Sequence, residues 1–181
     1  MRHLTATLCL TVAVLLGSAG MSSSTEPVKD FCLAGTKHSH SPVSGQCSDA
    51  YESGNYTTAL REWEPLAKNG NSSSQFNLGQ MYRRGQGVPE NDKTAVKWFT
   101  LAAEQGNASA QTNQGVMYDE GQGVVQDYVR AHMWYNIAAS SGKSENASEN
   151  RDIVAKLMTP SQIETAQRLA QECEKKIYKG C

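Results

Sequence analysis

The sequence has almost no net charge. Its 17 Lys and Arg stand against 18 Asp and Glu, a formal charge of −1. Neither sign gathers into a block. The electrostatic footprint of a chain that holds nucleic acid or an anionic membrane is therefore missing. Also lacking is an apolar run long enough for a bilayer, which takes about 20 residues. The run Leu8–Leu16 is short and is interrupted at Thr11.

Catalytic signatures are incomplete wherever they begin. Ser140-x-x-Lys143 supplies one element of the penicillin-interacting serine enzymes, but the Ser-Asp-Asn and Lys-Thr-Gly elements they also need do not occur. Gly142-Lys143-Ser144 has the tail of a phosphate-binding loop, yet Ile137 stands where its leading glycine belongs and no strand pattern precedes it. Gly85-x-Gly87 is followed by Glu90 at the place of a third glycine. No acid–base pair or nucleophile group stands out, so neither a catalytic residue nor a cofactor is expected.

What is present begins with an export signal. Met1, Arg2 and His3 are weakly basic, Leu8–Leu16 is apolar, and Ser18, Ala19 and Gly20 are the small residues a signal peptidase requires. Residues 1–20 are expected to be removed, which leaves no membrane anchor and places the chain in a periplasm or outside the cell. Met21 stands where a lipid anchor would need cysteine. Cys9 is lost with the signal, and Cys32, Cys47, Cys173 and Cys181 remain. An even number in an exported chain suggests two disulfides. Nearness in sequence favours Cys32–Cys47 and Cys173–Cys181; one long-range bridge between the two ends, or free thiols, are the other possibilities. A loop of about 15 residues closed in this way contributes roughly 3 kcal/mol. Residues 21–46 are rich in Ser, Gly and Pro and read as a stapled loop segment. Cys32, His38, His40 and Cys47 are all metal-ligating types, but their spacing matches no common zinc finger, and a disulfide loop with solvated histidines is the preferred reading, with no metal.

The strongest signal is internal repetition. With Ser72–Asn107 placed above Ala108–Lys143 and no gap, 15 of 36 positions are identical. Gln75, Asn77, Gly79 and Met81-Tyr82 recur as Gln111, Asn113, Gly115 and Met117-Tyr118; Gly85-Gln86-Gly87-Val88 recurs as Gly121-Gln122-Gly123-Val124. Ala95, Trp98, Ala102-Ala103 and Gly106 recur as Ala131, Trp134, Ala138-Ala139 and Gly142. A fixed period in this range marks a solenoid. Each unit reads as helix, loop, helix. Ala95, Trp98, Phe99 and Ala102 fall at i, i+3, i+4 and i+7, one helical face. Gly79 and Gly115 lie inside the first helix, where glycine costs about 1 kcal/mol relative to alanine, so close helix–helix approach is expected there. Gly85, Gly121, Gly106 and Gly142 suit left-handed C-caps. Ala59, Trp63, Ala67 and Gly70 outline the second half of an earlier unit. Beyond the repeats, Thr159-Pro160-Ser161-Gln162 is a capping box with proline at the first helical position. It opens a stripe of Ile163, Ala166, Ala170, Cys173 and Ile177. A shorter helix over Arg151–Met158, carrying Ile153, Val154, Leu157 and Met158, is expected before it. The organisation is therefore a signal at 1–20, a loop-rich segment at 21–46, repeats at 47–143 and capping helices at 144–181.

The pattern Gln-x-Asn-x-Gly-x-Met-Tyr-x-x-Gly-x-Gly-Val, then Ala-x-x-Trp, then Ala-Ala-x-x-Gly, resembles the Sel-one-like repeat, a relative of the tetratricopeptide repeat. It departs from that pattern at Gln114, where leucine is usual, and at Ser72 and Ser74, where alanine is commoner. The resemblance implies an all-α fold, a right-handed superhelix of antiparallel helix pairs, and an adaptor or scaffold role with a protein or peptide partner. It implies no catalytic residues. Shared positions read as structural, and the divergent ones on the first helix of each unit are the candidate partner-binding set: Phe76, Gln80, Arg83 and Arg84 against Thr112, Val116, Asp119 and Glu120. Competing readings are an enzyme or ligand-binding protein acting on cell-wall material, and a self-assembling structural protein. Four Asn-x-Ser/Thr sequons, at Asn55, Asn71, Asn107 and Asn146, matter only in a host that glycosylates them.

Overall fold

The computed structural model describes residues 48–144 and 146–181. The expected signal peptide, the loop-rich segment, the Cys32–Cys47 bridge and the set Cys32, His38, His40, Cys47 lie outside the described residues. A helical turn at 48–52 leads into seven helices: α1 (Tyr56–Lys68), α2 (Ser72–Arg84), α3 (Asp92–Ala103), α4 (Ala108–Glu120), α5 (Tyr128–Ser140), α6 (Ala147–Ala155) and α7 (Pro160–Lys175). There is no strand among the described residues. Helices α2 and α3 pack as one hairpin and α4 and α5 as the next, while α1 against α2 and α3 against α4 join successive units. The result is a solenoid in which α2 and α4 are the first helices of their units and α1, α3 and α5 the second.

Helix ends are set by short polar side chains and by glycine. Asn55, Asn71 and Asn107 each accept a hydrogen bond from a backbone N–H of the first turn they precede, at 3.2, 2.8 and 2.9 Å; Asn91 and Asp127 do the same for α3 and α5. All four sequon asparagines are N-cap residues, and all but Asn146 cap with the side chain, which accounts for the sequons without a sugar. At the other end, Gly85 and Gly121 take left-handed φ of 64° and 70° and return their N–H to Met81 and Met117.

Within each unit the two helices meet at a glycine. A Cβ on Gly79 would fall 2.5 Å from Cδ1 of Phe99, and one on Gly115 would fall 2.5 Å from Cδ1 of Tyr135. The aromatic ring lies flat in the space the missing side chain leaves, and both rings are shut off from solvent. Between units the loop does the joining. Gly87 sits against the backbone of Tyr56 at the start of α1, and Gly123 against Asp92 and Lys93 at the start of α3. The repeated glutamine adds a polar lock. Gln75 Nε2 donates to the Ala67 carbonyl at 3.0 Å, and Gln111 Nε2 to the Ala103 carbonyl at 3.2 Å, so each satisfies a C-terminal carbonyl of the preceding unit's second helix.

Gln114 departs from its counterpart Leu78 inside this core. It is 2% exposed; its Nε2 donates to Thr100 Oγ1 at 2.7 Å, and its Oε1 has no partner. A buried acceptor left unpaired costs about 1–3 kcal/mol.

At the far end α5 is covered on more sides than α3, because α6 and α7 both pack on it. Lys97 and Leu101 are exposed on α3, while their counterparts Met133 and Ile137 are buried. His132 is buried too; desolvation and the nearby Arg151 hold its pKa below the usual value, against an opposing pull from Asp152. The capping box forms at Thr159 and Gln162. Cys173 and Cys181 are bonded, with sulfurs 2.02 Å apart. Two expectations need correction. The helix before the box runs Ala147–Ala155 instead of Arg151–Met158; it buries Ala147 and Val154, leaves Ile153 49% exposed, and ends before Leu157, which is 61% exposed. The α7 stripe stops at Cys173: the helix ends at Lys175, and Ile177 is 73% exposed with φ of 52°.

Gly79→Ala should lose about 1–2 kcal/mol in urea denaturation, the clash with the Phe99 ring outweighing the better helix propensity; a more stable variant would show that the ring is not seated there. Gln114→Leu should gain about 1 kcal/mol by removing the unpaired acceptor, since Thr100 keeps its own 2.8 Å bond to the Val96 carbonyl. A drop in the denaturation midpoint would contradict this.

Candidate interaction surface

The first helices α2 and α4 run side by side and touch through side chains. Arg83 is the hub. Its guanidinium donates to Asn113 Oδ1 at 3.2 Å and meets Glu120 Oε2 at 3.5 Å, a solvent-facing ion pair. Gln80 Nε2 reaches the same Asn113 oxygen at 3.4 Å, and Asn113 Nδ2 is tied back to the Ser109 carbonyl at 2.8 Å. Arg84, one residue on, is exposed and donates to the Tyr51 hydroxyl at 3.3 Å. Gln80, Arg83 and Glu120 therefore stand along one seam, with Asn113 between them, while Arg84 is turned toward Tyr51 of the turn before α1.

The other four residues of the sequence-based set are engaged inside the fold. Phe76 is half-buried, its ring 6.0 Å from that of Phe99. Thr112 bonds the Ala108 carbonyl and the Ser144 hydroxyl, at 3.0 and 2.8 Å. Val116 packs in the cluster of Ala131, Tyr135 and Val154. Asp119 takes a hydrogen bond from the buried Tyr135 hydroxyl. Burial raises the Asp119 pKa and that hydrogen bond opposes the rise. Burial and the nearby Asp119 and Glu120 push the Tyr135 hydroxyl pKa up in turn. Asn113 is absent from the sequence-based set because it is identical to Asn77 and so counted as structural. Its signal is indirect: it stands two helical turns before Glu120, at i and i+7 on the same side of α4. Tyr118 and Arg130 also belong to the unit's surface, with the guanidinium 5.5 Å over the ring centre.

Among the described residues no cluster of three or more His, Cys, Asp or Glu could hold a metal ion, and no helix is long and apolar enough to cross a membrane.

The Sel1 repeat family model matches residues 72–107 and 108–143, the units whose Gly79–Phe99 and Gly115–Tyr135 contacts build this seam. The chain carries two Sel1 repeats. Sel1 repeat proteins are generally protein–protein interaction modules. Among solved structures the chain is similar to a protective antigen of uropathogenic Escherichia coli strains that displays an SLR fold, with 30% identity, a TM-score of 0.70, and coverage of 74% of this chain and 30% of that one. It is also similar to a Sel1 repeat protein from Oxalobacter formigenes, at 31% identity and a TM-score of 0.56, covering 59% of this chain and 43% of that one. The chain thus spans less than half the length of either. No curated protein matches it.

Asp119 gives the Sel1 surface a pH signature. Its folded pKa is raised above the ordinary carboxylate value of 3.8, so its contribution is fully favourable only below that value and is lost as pH rises through the folded pKa. Asp119→Asn should therefore be the more stable form at pH 7, and its advantage should shrink as the pH is lowered toward 3.8. Thermal melts of both forms across pH 3–8 read this, and a pH-independent difference would refute it.

Proposed function

We propose that this Sel1 protein is an exported adaptor that binds a peptide or protein partner on the concave, first-helix face. The observation that carries the reading is the seam itself. The two units share their buried framework and differ where side chains reach solvent, with arginines on α2 and a glutamate on α4. Arg84 is exposed, and the Arg83–Glu120 pair is solvent-facing at 3.5 Å. Exposed ion pairs contribute only about 0–1 kcal/mol, so a partner carrying a carboxylate and an amine in order can replace that pair at little cost. Phe76, Thr112, Val116 and Asp119 act as the frame of the surface, and Gln80, Arg83, Arg84 and Glu120 as its contacts.

Export is supported by the Cys173–Cys181 bridge, which persists in oxidising compartments, and by the signal pattern of residues 1–20. The absence of a nucleophile–base pair in the seam makes a non-catalytic role the better account of this surface.

The test is a partner captured by cross-linking in the native compartment and then titrated against purified variants. Arg84→Glu should weaken binding about tenfold or more, roughly 1.4 kcal/mol, with unchanged helicity. Lys97→Glu, on the exposed side of α3, should leave affinity unaltered. Equal affinities for wild type and Arg84→Glu would remove this face from the partner site.

A further inference from the structure

We propose that residues 176–181 form a redox-sensitive strap, closed over the α3–α4 turn while Cys173 and Cys181 are bonded and released when a dithiol reduces them. The bridge anchors the tail to the buried Cys173 on α7. From there the tail crosses α5 to the end of α3. Tyr178 and Cys181 pack on the cluster that holds Ala102, Ala103, Met133 and Trp134. The Tyr178 ring lies against the α3–α4 turn, where a Cβ on Gly106 would stand 3.3 Å from it. The Gly180 N–H donates to Glu104 Oε1 at 3.0 Å, and Arg130 donates to the Cys181 carbonyl at 3.4 Å.

The backbone gives the second reason. Ile177 and Tyr178 have φ of 52° and 64°. Both are left-handed, a region that a β-branched or aromatic residue seldom enters. In the repeats the same helix-ending conformation falls to Gly85 and Gly121. Ile177 is 73% exposed, so burial of its side chain does little to hold this shape. The backbone bonds of Lys176, Ile177 and Tyr178 run back only to the end of α7; toward α3–α5 the tail has one half-buried ring and two exposed hydrogen bonds, weak compensation for holding it there, which leaves the covalent closure as the deciding constraint on its position.

The exchange is ordinary thiol chemistry. A thiolate of the dithiol attacks Cys181 Sγ, the more exposed sulfur, and the Cys173–Cys181 bond breaks. Cys173 leaves as a thiolate and takes up a proton. The second thiol of the reductant then displaces Cys181, which is protonated in turn. The protein gains two electrons and two protons, and the dithiol becomes a disulfide. Opening bares the apolar seam at Ala102, Ala103 and Trp134. The timing alone rests on the export reading: the strap would be open before export and closed after it.

The experiment compares the oxidised full chain with the same chain in dithiothreitol, after reoxidation, and as the double variant Cys173→Ser with Cys181→Ser, which leaves any other bridge intact. Hydrogen exchange at 176–181 and tryptic cleavage after Lys175, Lys176 and Lys179 are the readouts. We expect cleavage to rise about tenfold or more on reduction and in the double variant, to return to the starting rate on reoxidation, and α2–α5 to keep their protection throughout. A tail equally protected in all forms would overturn the strap, because noncovalent contacts would then suffice. Loss of protection through α2–α5 would overturn it as well, because the bridge would then staple the whole fold. Should the double variant not fold, the dithiothreitol titration of the native chain decides alone.

Discussion

One contact governs the geometry of this solenoid: an aromatic ring lying on a glycine inside each helix pair, Phe99 on Gly79 and Tyr135 on Gly115. Glycine in mid-helix costs about 1 kcal/mol. Fully burying a phenylalanine-sized side chain returns roughly 1.5–3 kcal/mol, so the exchange favours the fold only if the ring fills the gap. That requirement fixes how closely the two helices approach, and therefore where each helix can end. The left-handed caps Gly85 and Gly121 follow, and the loops they start bring Gly87 and Gly123 against the opening turns of α1 and α3. Within a unit the glycine–ring contact sets the distance; between units the loop glycines and the Gln75 and Gln111 amides set the stacking.

The same contact reaches the surface. Phe99 carries no polar atom, and the residue one helical turn beyond Gly79 is Arg83, free to cross the seam to Asn113 and Glu120. Tyr135 brings a hydroxyl into the equivalent place, and the residue one turn beyond Gly115 is Asp119, which accepts from it. The change from arginine to aspartate between the copies is thus partly answered from within. A difference between repeat copies is a signature of recognition only after such internal pairings have been subtracted.

Much of the fold was legible because its signals are local. Asparagine N-caps, left-handed glycines and the i, i+3, i+4 spacing of Ala95, Trp98 and Phe99 each act within a turn or two, and α2–α5 begin and end beside them. The C-terminal region was less legible. A periodic stripe says which residues share a face, not whether a neighbour covers it. Ile153 falls on a face of α6 that the described residues leave exposed, Leu157 lies past the end of that helix and is exposed too, while small Ala147 is buried. Ile177 continued the α7 stripe in sequence, but the helix closes at Lys175 and the bridge turns the chain away. In the candidate surface, Gln80, Arg83, Arg84 and Glu120 were readable as divergent positions. Asn113 was not, since identity between copies conceals a residue whose role depends on what stands opposite it.

Asn113 shows why that matters for recognition. Its oxygen receives both Gln80 and Arg83, and its amide is held by the Ser109 carbonyl, so the acceptor is fixed before any partner arrives. Arg83 therefore has two partners of unequal permanence. The Asn113 contact is oriented by its own helix, with Arg83 half-buried beside it, whereas the Glu120 contact is a solvent-facing pair at 3.5 Å. A competing carboxylate would exchange with the second and leave the first. The arginine would keep its position and give up only its weaker partner, freeing Glu120 for a cation on the same ligand. If this face does take a partner, a surface built this way would need little reorganisation, one of the costs that association must offset.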